Sequence, residues 1–128
     1  MRRAGQSMND EARDLAVEAA RVADHEGATE VVALAVGSVL DVADYFVIAG
    51  ASNRRLVRRV VEEVEARCRE RLGRSPVRSE GVREQEWVLL DYGDVVIHVF
   101  LEEIRGFYEI ERLYGDVDRI AWSAGSSR

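Results

Sequence analysis

Residues Trp87–Leu101 read WVLLDYGDVVIHVFL, and the reading of this stretch decides the fold. Two runs of branched and aromatic residues, Trp87–Leu90 and Val95–Leu101, flank Asp91-Tyr92-Gly93-Asp94. Such runs on either side of a glycine-containing tetrapeptide predict a strand, a tight turn and a second strand. With Tyr92 and Gly93 as the central turn residues, Leu90 faces Val95 and Trp87 faces His98. Asp91 then faces Asp94 on the side that carries Trp87, Leu89, His98 and Phe100. That register sets two like charges opposite each other and puts Tyr92 at positive φ. A loop one residue longer, with Gly93 left-handed, avoids both and shifts the register. Both registers are open from the sequence.

Working outward, Ala12, Leu15, Ala16, Ala19, Val22 and Ala23 form a helical stripe from Asn9 to about His25. Ser7 or Asn9 is the expected cap, Gly27 the end, and residues 1–7 are expected to be a disordered extension. Val31–Val36 reads as a central strand and Asp44–Ala49 as its antiparallel neighbour, the short link 39–43 fitting that pairing. A long helix follows over Asn53–Leu72, with Leu56, Val57, Val60, Val61, Val64 and Cys68 on one face. Ser52 is its expected cap; Gly73 and Pro76 mark its end. Ser75–Gln85 reads as a polar connection, Phe107–Tyr114 as a short helix and 117–128 as a flexible tail, with Trp122 unassigned. The order α-β-β-α-β-β-α predicts one α/β domain over 8–116. Its core is a mixed four-stranded sheet, or a five-stranded one with an extra edge segment, carrying packed helices.

Composition narrows the function. A single cysteine, Cys68, excludes an internal disulfide and a cysteine-based zinc site. No apolar run reaches the length of a membrane span, and the N-terminus lacks the apolar core of a signal peptide, so a cytoplasmic protein is expected. The net charge is −6, yet residues 54–83 carry ten Arg and five acids. An acidic chain of this kind is a poor general nucleic-acid binder and suits a basic protein partner. Arg54 and Arg55 open the long helix, where the macrodipole disfavours cations, so an acidic group is expected beside them.

Asp91, Asp94 and His98 have three readings. They can bind a metal or do acid–base chemistry; they can be turn formers with a structural histidine; or they can belong to a recognition face. Gly37-Ser38 after a strand resembles the opening of a nucleotidyltransferase site. That chemistry needs two carboxylates one residue apart on one strand, whereas Asp41 and Asp44 are three apart and Asp91 and Asp94 flank a turn. No phosphate-binding glycine loop is present. Arg105, Tyr108 and Tyr114, near the C-terminus, are residue types that anchor interfaces.

Three segments, DYFVIAGASNRR from Asp44, WVLLDYGDVVIHVF from Trp87 and RGFYEIERLY from Arg105, resemble in order and spacing the ribosomal silencing factor (Iojap-like) family. The resemblance covers about Asp10 to Asp116. It marks Asp44, Trp87, Asp91, Gly93, Asp94, His98, Arg105 and Tyr108, with Tyr114 standing where the family often has Trp. It implies a nucleotidyltransferase-like topology without the catalytic carboxylates, and a non-enzymatic role with no cofactor, metal or small-molecule substrate. It further implies binding to ribosomal protein L-fourteen of the large subunit. The bound factor would block small-subunit joining and repress translation under nutrient limitation. Association into homodimers is also implied. The expected docking residues are Trp87, Asp91, Tyr92, Asp94 and His98, with Arg105 and Tyr108 beside them. Arg54 and Arg55 are candidates for peripheral rRNA contact. The rival readings are a metal-dependent nucleotidyltransferase or phosphodiesterase using Asp91, Asp94 and His98, and a plain dimerisation module.

Overall fold

A computed structural model describes residues 4–37, 43–108, 112 and 115–123, the side chains of 4–9 and 106–108 excepted. Eight elements follow in the order α1 (Ala4–His25), β1 (Thr29–Ala35), β2 (Tyr45–Ala51), α2 (Arg54–Leu72), β3 (Arg78–Glu80), β4 (Trp87–Asp91), β5 (Val95–Leu101) and α3 (Glu102–Tyr108). The five strands form one mixed sheet in the order β1-β2-β5-β4-β3. β2 runs parallel to β5, and the other three pairings are antiparallel. The expected antiparallel pairing of the first two strands is present. The chain from β2 passes through α2 to the far edge, and the hairpin then brings β5 back beside β2.

Strand alternation divides the core in two. Val47, Ala49 and Ala51 of β2, Val88 and Leu90 of β4, and Val95, Ile97, Val99 and Leu101 of β5 pack with the apolar stripes of α1 and α2. The alanines of α1 let that helix lie close to α2 and the sheet; Ala12, Leu15, Ala16, Ala19 and Ala20 have no exposure. The opposite face carries Leu34, Phe46, Ile48 and Phe100, with Val32, Trp87 and Val96 half-buried around them.

Several boundaries differ from the sequence reading. Helix α1 begins at Ala4, so the expected disordered extension is helical from that residue on. The cap of α2 is Asn53, whose Oδ1 accepts the Leu56 N–H at 2.8 Å, rather than Ser52. An Asn side chain at this position reaches the third helical N–H, which fulfils the cap role. Gly73 ends α2 as expected, with φ 66° and hydrogen bonds back to the last turn. The connection 75–85 contains a fifth strand, β3, whose three residues are all exposed and so leave no apolar alternation to read. Helix α3 starts directly after β5, earlier than expected; residues 109–111 and 113–114 of the expected helix lie outside the described residues.

The segment expected as a tail is bonded to the domain as far as it is described. The Ala35 N–H donates to the Asp118 carbonyl (2.8 Å) and the Ile120 N–H to the Ala33 carbonyl (2.9 Å), so Arg119 bridges to Leu34 on the outer edge of β1. Trp122 then packs on the helix-side core, and its carbonyl accepts from Arg21 Nε at 2.7 Å. Residues 124–128 lie outside the described residues.

Candidate docking face and the residues that build it

The hairpin register places Trp87 opposite Phe100, Leu89 opposite His98 and Asp91 opposite Val96. The Tyr92 N–H donates to the Val95 carbonyl (2.9 Å), which leaves Gly93 and Asp94 as the two central residues. Gly93 has φ 93°, a conformation natural to glycine in the first central position of a two-residue hairpin. This is neither register weighed from the sequence. Pairs shift by two residues from the Tyr92-Gly93 version, so every side chain keeps its face while its partner changes. Trp87, Leu89, Asp91, His98 and Phe100 therefore share one side, as in the Tyr92-Gly93 register and unlike the longer-loop one, but Asp91 does not oppose Asp94.

Each aspartate has its own arginine. Asp94 takes Arg74 in a two-pronged contact (2.7 and 3.4 Å), and Arg74 also donates to the Tyr92 carbonyl at 3.1 Å. Asp91 accepts the Gly93 N–H (2.8 Å) on one oxygen and Arg78 Nε (3.1 Å) on the other. The Asp94 carbonyl accepts the N–H groups of Asp44 (2.7 Å) and Tyr45 (3.2 Å), which docks the hairpin tip onto the start of β2. Both carboxylates thus serve the turn and its surroundings. Among the described residues no group of three or more His, Cys, Asp or Glu side chains is placed to hold a metal ion.

His98 is buried, with 4% exposure. Its Nδ1 accepts the Trp87 indole N–H at 3.2 Å, so a neutral ring carries its proton on Nε2. Phe46 meets the imidazole edge-on at 4.7 Å, and Trp87 stacks on Phe100 at 4.7 Å. Burial pushes the His98 pKa down to about 4, because the imidazolium would lose its hydration without gaining a counter-charge. Nε2 is buried with no hydrogen-bond partner among the described residues. The arrangement suits a rigid aromatic platform better than proton transfer.

Two residues of the expected docking set face elsewhere. Tyr92 is 4% exposed and belongs to the helix-side core, because it alternates with Asp91 along the strand. Arg105 is 6% exposed and lies over Gly50, where its Nη1 donates to the Thr29 carbonyl at 3.2 Å. A Cβ on Gly50 would stand 3.3 Å from that nitrogen, so glycine makes room for the guanidinium. Arg105 thus lies beside Gly50, which pairs with Phe100, at the end of β5 opposite to the turn that carries the two aspartates. The side chain of Tyr108 lies outside those described. Trp87, Leu89, Asp91 and Val96 remain as half-exposed side chains of one sheet face, beside the half-exposed Asp94 of the turn.

The acidic group expected near Arg54 is Glu86, 2.6 Å from its Nη2, and the Glu84 carbonyl also accepts from Arg54 Nε at 3.3 Å. Arg55 is exposed, and no ion pair holds it among the described residues. Glu86 could not be found from sequence periodicity, since it lies 32 positions away on the approach to β4. No described helix is long and apolar enough to cross a membrane.

Residues 9–127 match the family model described as "Ribosomal silencing factor during starvation". The chain is 36% identical over 112 residues to a ribosomal silencing factor of Halalkalibacterium halodurans, covering 88% of this chain and 92% of that one. It is 37% identical over 98 residues to the ribosomal silencing factor of Bacillus subtilis, covering 77% and 82%. In structure it is similar to a crystal structure of a protein from Chromobacterium violaceum, with TM-score 0.74, 29% identity and coverage of 93% and 95%. Family match, relatives and fold agree with the three sequence segments: this chain belongs to the ribosomal silencing factor family.

Proposed function

We propose that this chain binds the large ribosomal subunit through ribosomal protein L-fourteen, on the face that meets the small subunit. Its bulk there blocks subunit joining and represses translation when nutrients are short. It acts in the compartment that holds those ribosomes, the cytoplasm, and the role calls for no reactive group. The observation that supports this reading is the sheet face opposite α1 and α2. There Trp87, Leu89 and Val96 are half-exposed, and Trp87 is held by His98 and Phe100. A preorganised aromatic with a polar rim is the usual anatomy of a protein-binding hot spot. Asp91 and Asp94, each paired with an arginine of this chain, make the rim polar without a net charge, so the half-exposed apolar residues carry the contact. Arg55 supplies a charge for neighbouring rRNA phosphate, more readily than Arg54, which Glu86 already holds.

The test is co-sedimentation of the purified protein with purified large subunits. Wild type pellets with them, and Leu89→Glu, which places a charge among the half-exposed apolar residues, binds at least tenfold more weakly. Wild-type protein left in the supernatant refutes the reading. Equal binding by Leu89→Glu refutes the assigned face.

A further inference from the structure

On the helix side of the sheet, α1, α2 and the C-terminal segment border a cleft of about 390 Å³. That volume suits a small molecule. Val22 and Trp122 give the cleft apolar surface. Trp122 is half-buried and packs on the core, and the residues just before it are hydrogen-bonded to β1. This wall is therefore preformed, which lowers the cost of holding a ligand.

Besides His25, three arginines and three carboxylates line the cleft. Four of these six are engaged: Arg71 contacts Glu18 at 3.4 Å, Glu26 contacts Arg59 at 2.7 Å, and Arg67 lies between Glu63 (3.8 Å) and Glu70 (3.3 Å). Arg21 and Asp24 are left. Arg21 donates from Nε to the Trp122 carbonyl at 2.7 Å, and no described carboxylate pairs with its Nη1 or Nη2. Asp24 has no ion-pair partner among the described residues. The two stand one turn apart on α1, so one cation and one anion face the same cleft.

We propose that this cleft binds a free amino acid with an apolar side chain. The ligand carboxylate accepts from Arg21 Nη1 and Nη2, in the two-pronged geometry natural to a guanidinium. The ammonium group pairs with Asp24, and the side chain covers Val22 and the Trp122 indole. A simple anion faces the carboxylate of Asp24, and a simple cation faces Arg21, so either leaves a like charge opposed. A ligand that carries both charges satisfies both groups. Because the ligand bridges α1 and Trp122, its binding also holds the C-terminal segment on β1.

The cleft lies on the opposite side of the sheet from the Trp87 face, and its test uses purified protein without ribosomes, so it is independent of the ribosome-binding reading. Isothermal titration calorimetry uses L-phenylalanine and L-leucine as probes. At least one binds with a Kd of about 1 mM or tighter. Three analogues of L-phenylalanine separate the charges: N-acetyl-L-phenylalaninamide has neither, hydrocinnamate only the negative one and phenethylamine only the positive one. Each binds at least about tenfold more weakly. Arg21→Gln and Asp24→Asn, at exposed positions, keep the fold by circular dichroism and weaken the amino acid about tenfold. Hydrogen exchange at the Ile120 N–H, which donates to Ala33, slows when the ligand is bound. No saturable binding of either amino acid overturns the proposal. So does hydrocinnamate or phenethylamine binding as tightly as L-phenylalanine, which makes the cleft a simple ion site. Wild-type affinity in both variants places the ligand elsewhere and overturns it as well.

Discussion

The Trp87 indole N–H donates to His98 Nδ1 at 3.2 Å, between diagonal positions of two adjacent strands. Leu89, not Trp87, is the direct cross-strand partner of His98, and Phe100 is that of Trp87. The hydrogen bond and the stack on Phe100 fix the indole from two directions. A tryptophan held in this way loses little conformational freedom when a partner covers it.

The same burial makes His98 a source of pH-dependent stability. Its folded pKa is about 4 against an ordinary 6.5. Above pH 6.5 the ring is neutral in both states and the contribution is full. Between 6.5 and 4 the unfolded chain takes up a proton that the folded chain refuses, so stability falls with pH by up to about 3 kcal/mol. Urea titrations across this range should show the decline in wild type and a shallower one in His98→Asn, whose side-chain oxygen can replace Nδ1 as acceptor.

Asp94 and Asp91 should differ although they flank the same turn. The Arg74–Asp94 pair is two-pronged, with about a quarter of each side chain exposed, whereas Arg78 is 69% exposed beside Asp91. Asp94→Asn should lower stability by about 1–2 kcal/mol. Asp91→Asn, which keeps an oxygen for the Gly93 N–H, should change it by less than about 0.5 kcal/mol. Chemical denaturation of the two variants checks the order.

Asn53→Ala removes the acceptor of the Leu56 N–H and should destabilise the protein by about 1 kcal/mol. Ser52→Ala should be close to neutral. Equal effects in thermal unfolding would return the cap role to Ser52.

Arg55, exposed in the first turn of α2, is the cation to test for rRNA contact. Arg55→Glu should weaken large-subunit binding and reduce the slope of log affinity against log salt by about one. An unchanged slope removes rRNA from the account at this position. Arg54→Glu is less informative, since it also breaks the pair with Glu86.

The sequence carried the face of each hairpin residue better than its partner. Alternation is local, so the Tyr92-Gly93 register groups Trp87, Leu89, His98 and Phe100 on one face as the structure does, whereas the loop one residue longer, equally open from the sequence, separates the two strands' sets. The register depended on which residue of Tyr92-Gly93-Asp94 opens the turn, and tertiary contacts decided it: Asp94 docks on Asp44 and Tyr45, and Tyr92 is drawn under the helices. A tyrosine next to two aspartates in a turn reads as exposed, and only strict alternation from Leu90 would have placed it inside. Arg105 was misread for a similar reason, since its partner is a backbone carbonyl 76 positions away that leaves no mark in the sequence. Strand β3 and the segment at Asp118–Ile120 escaped because both are short and held by backbone hydrogen bonds rather than by an apolar pattern.

The central claim is that the bound protein keeps the subunits apart through the face built around Trp87. Light scattering during the mixing of small subunits with large subunits preloaded with the protein tests it most directly. The account predicts that joining is suppressed in proportion to occupancy, and that Trp87→Ala, folded by circular dichroism, restores joining by weakening binding at least tenfold. Joining at the full rate with wild-type protein still bound would contradict it.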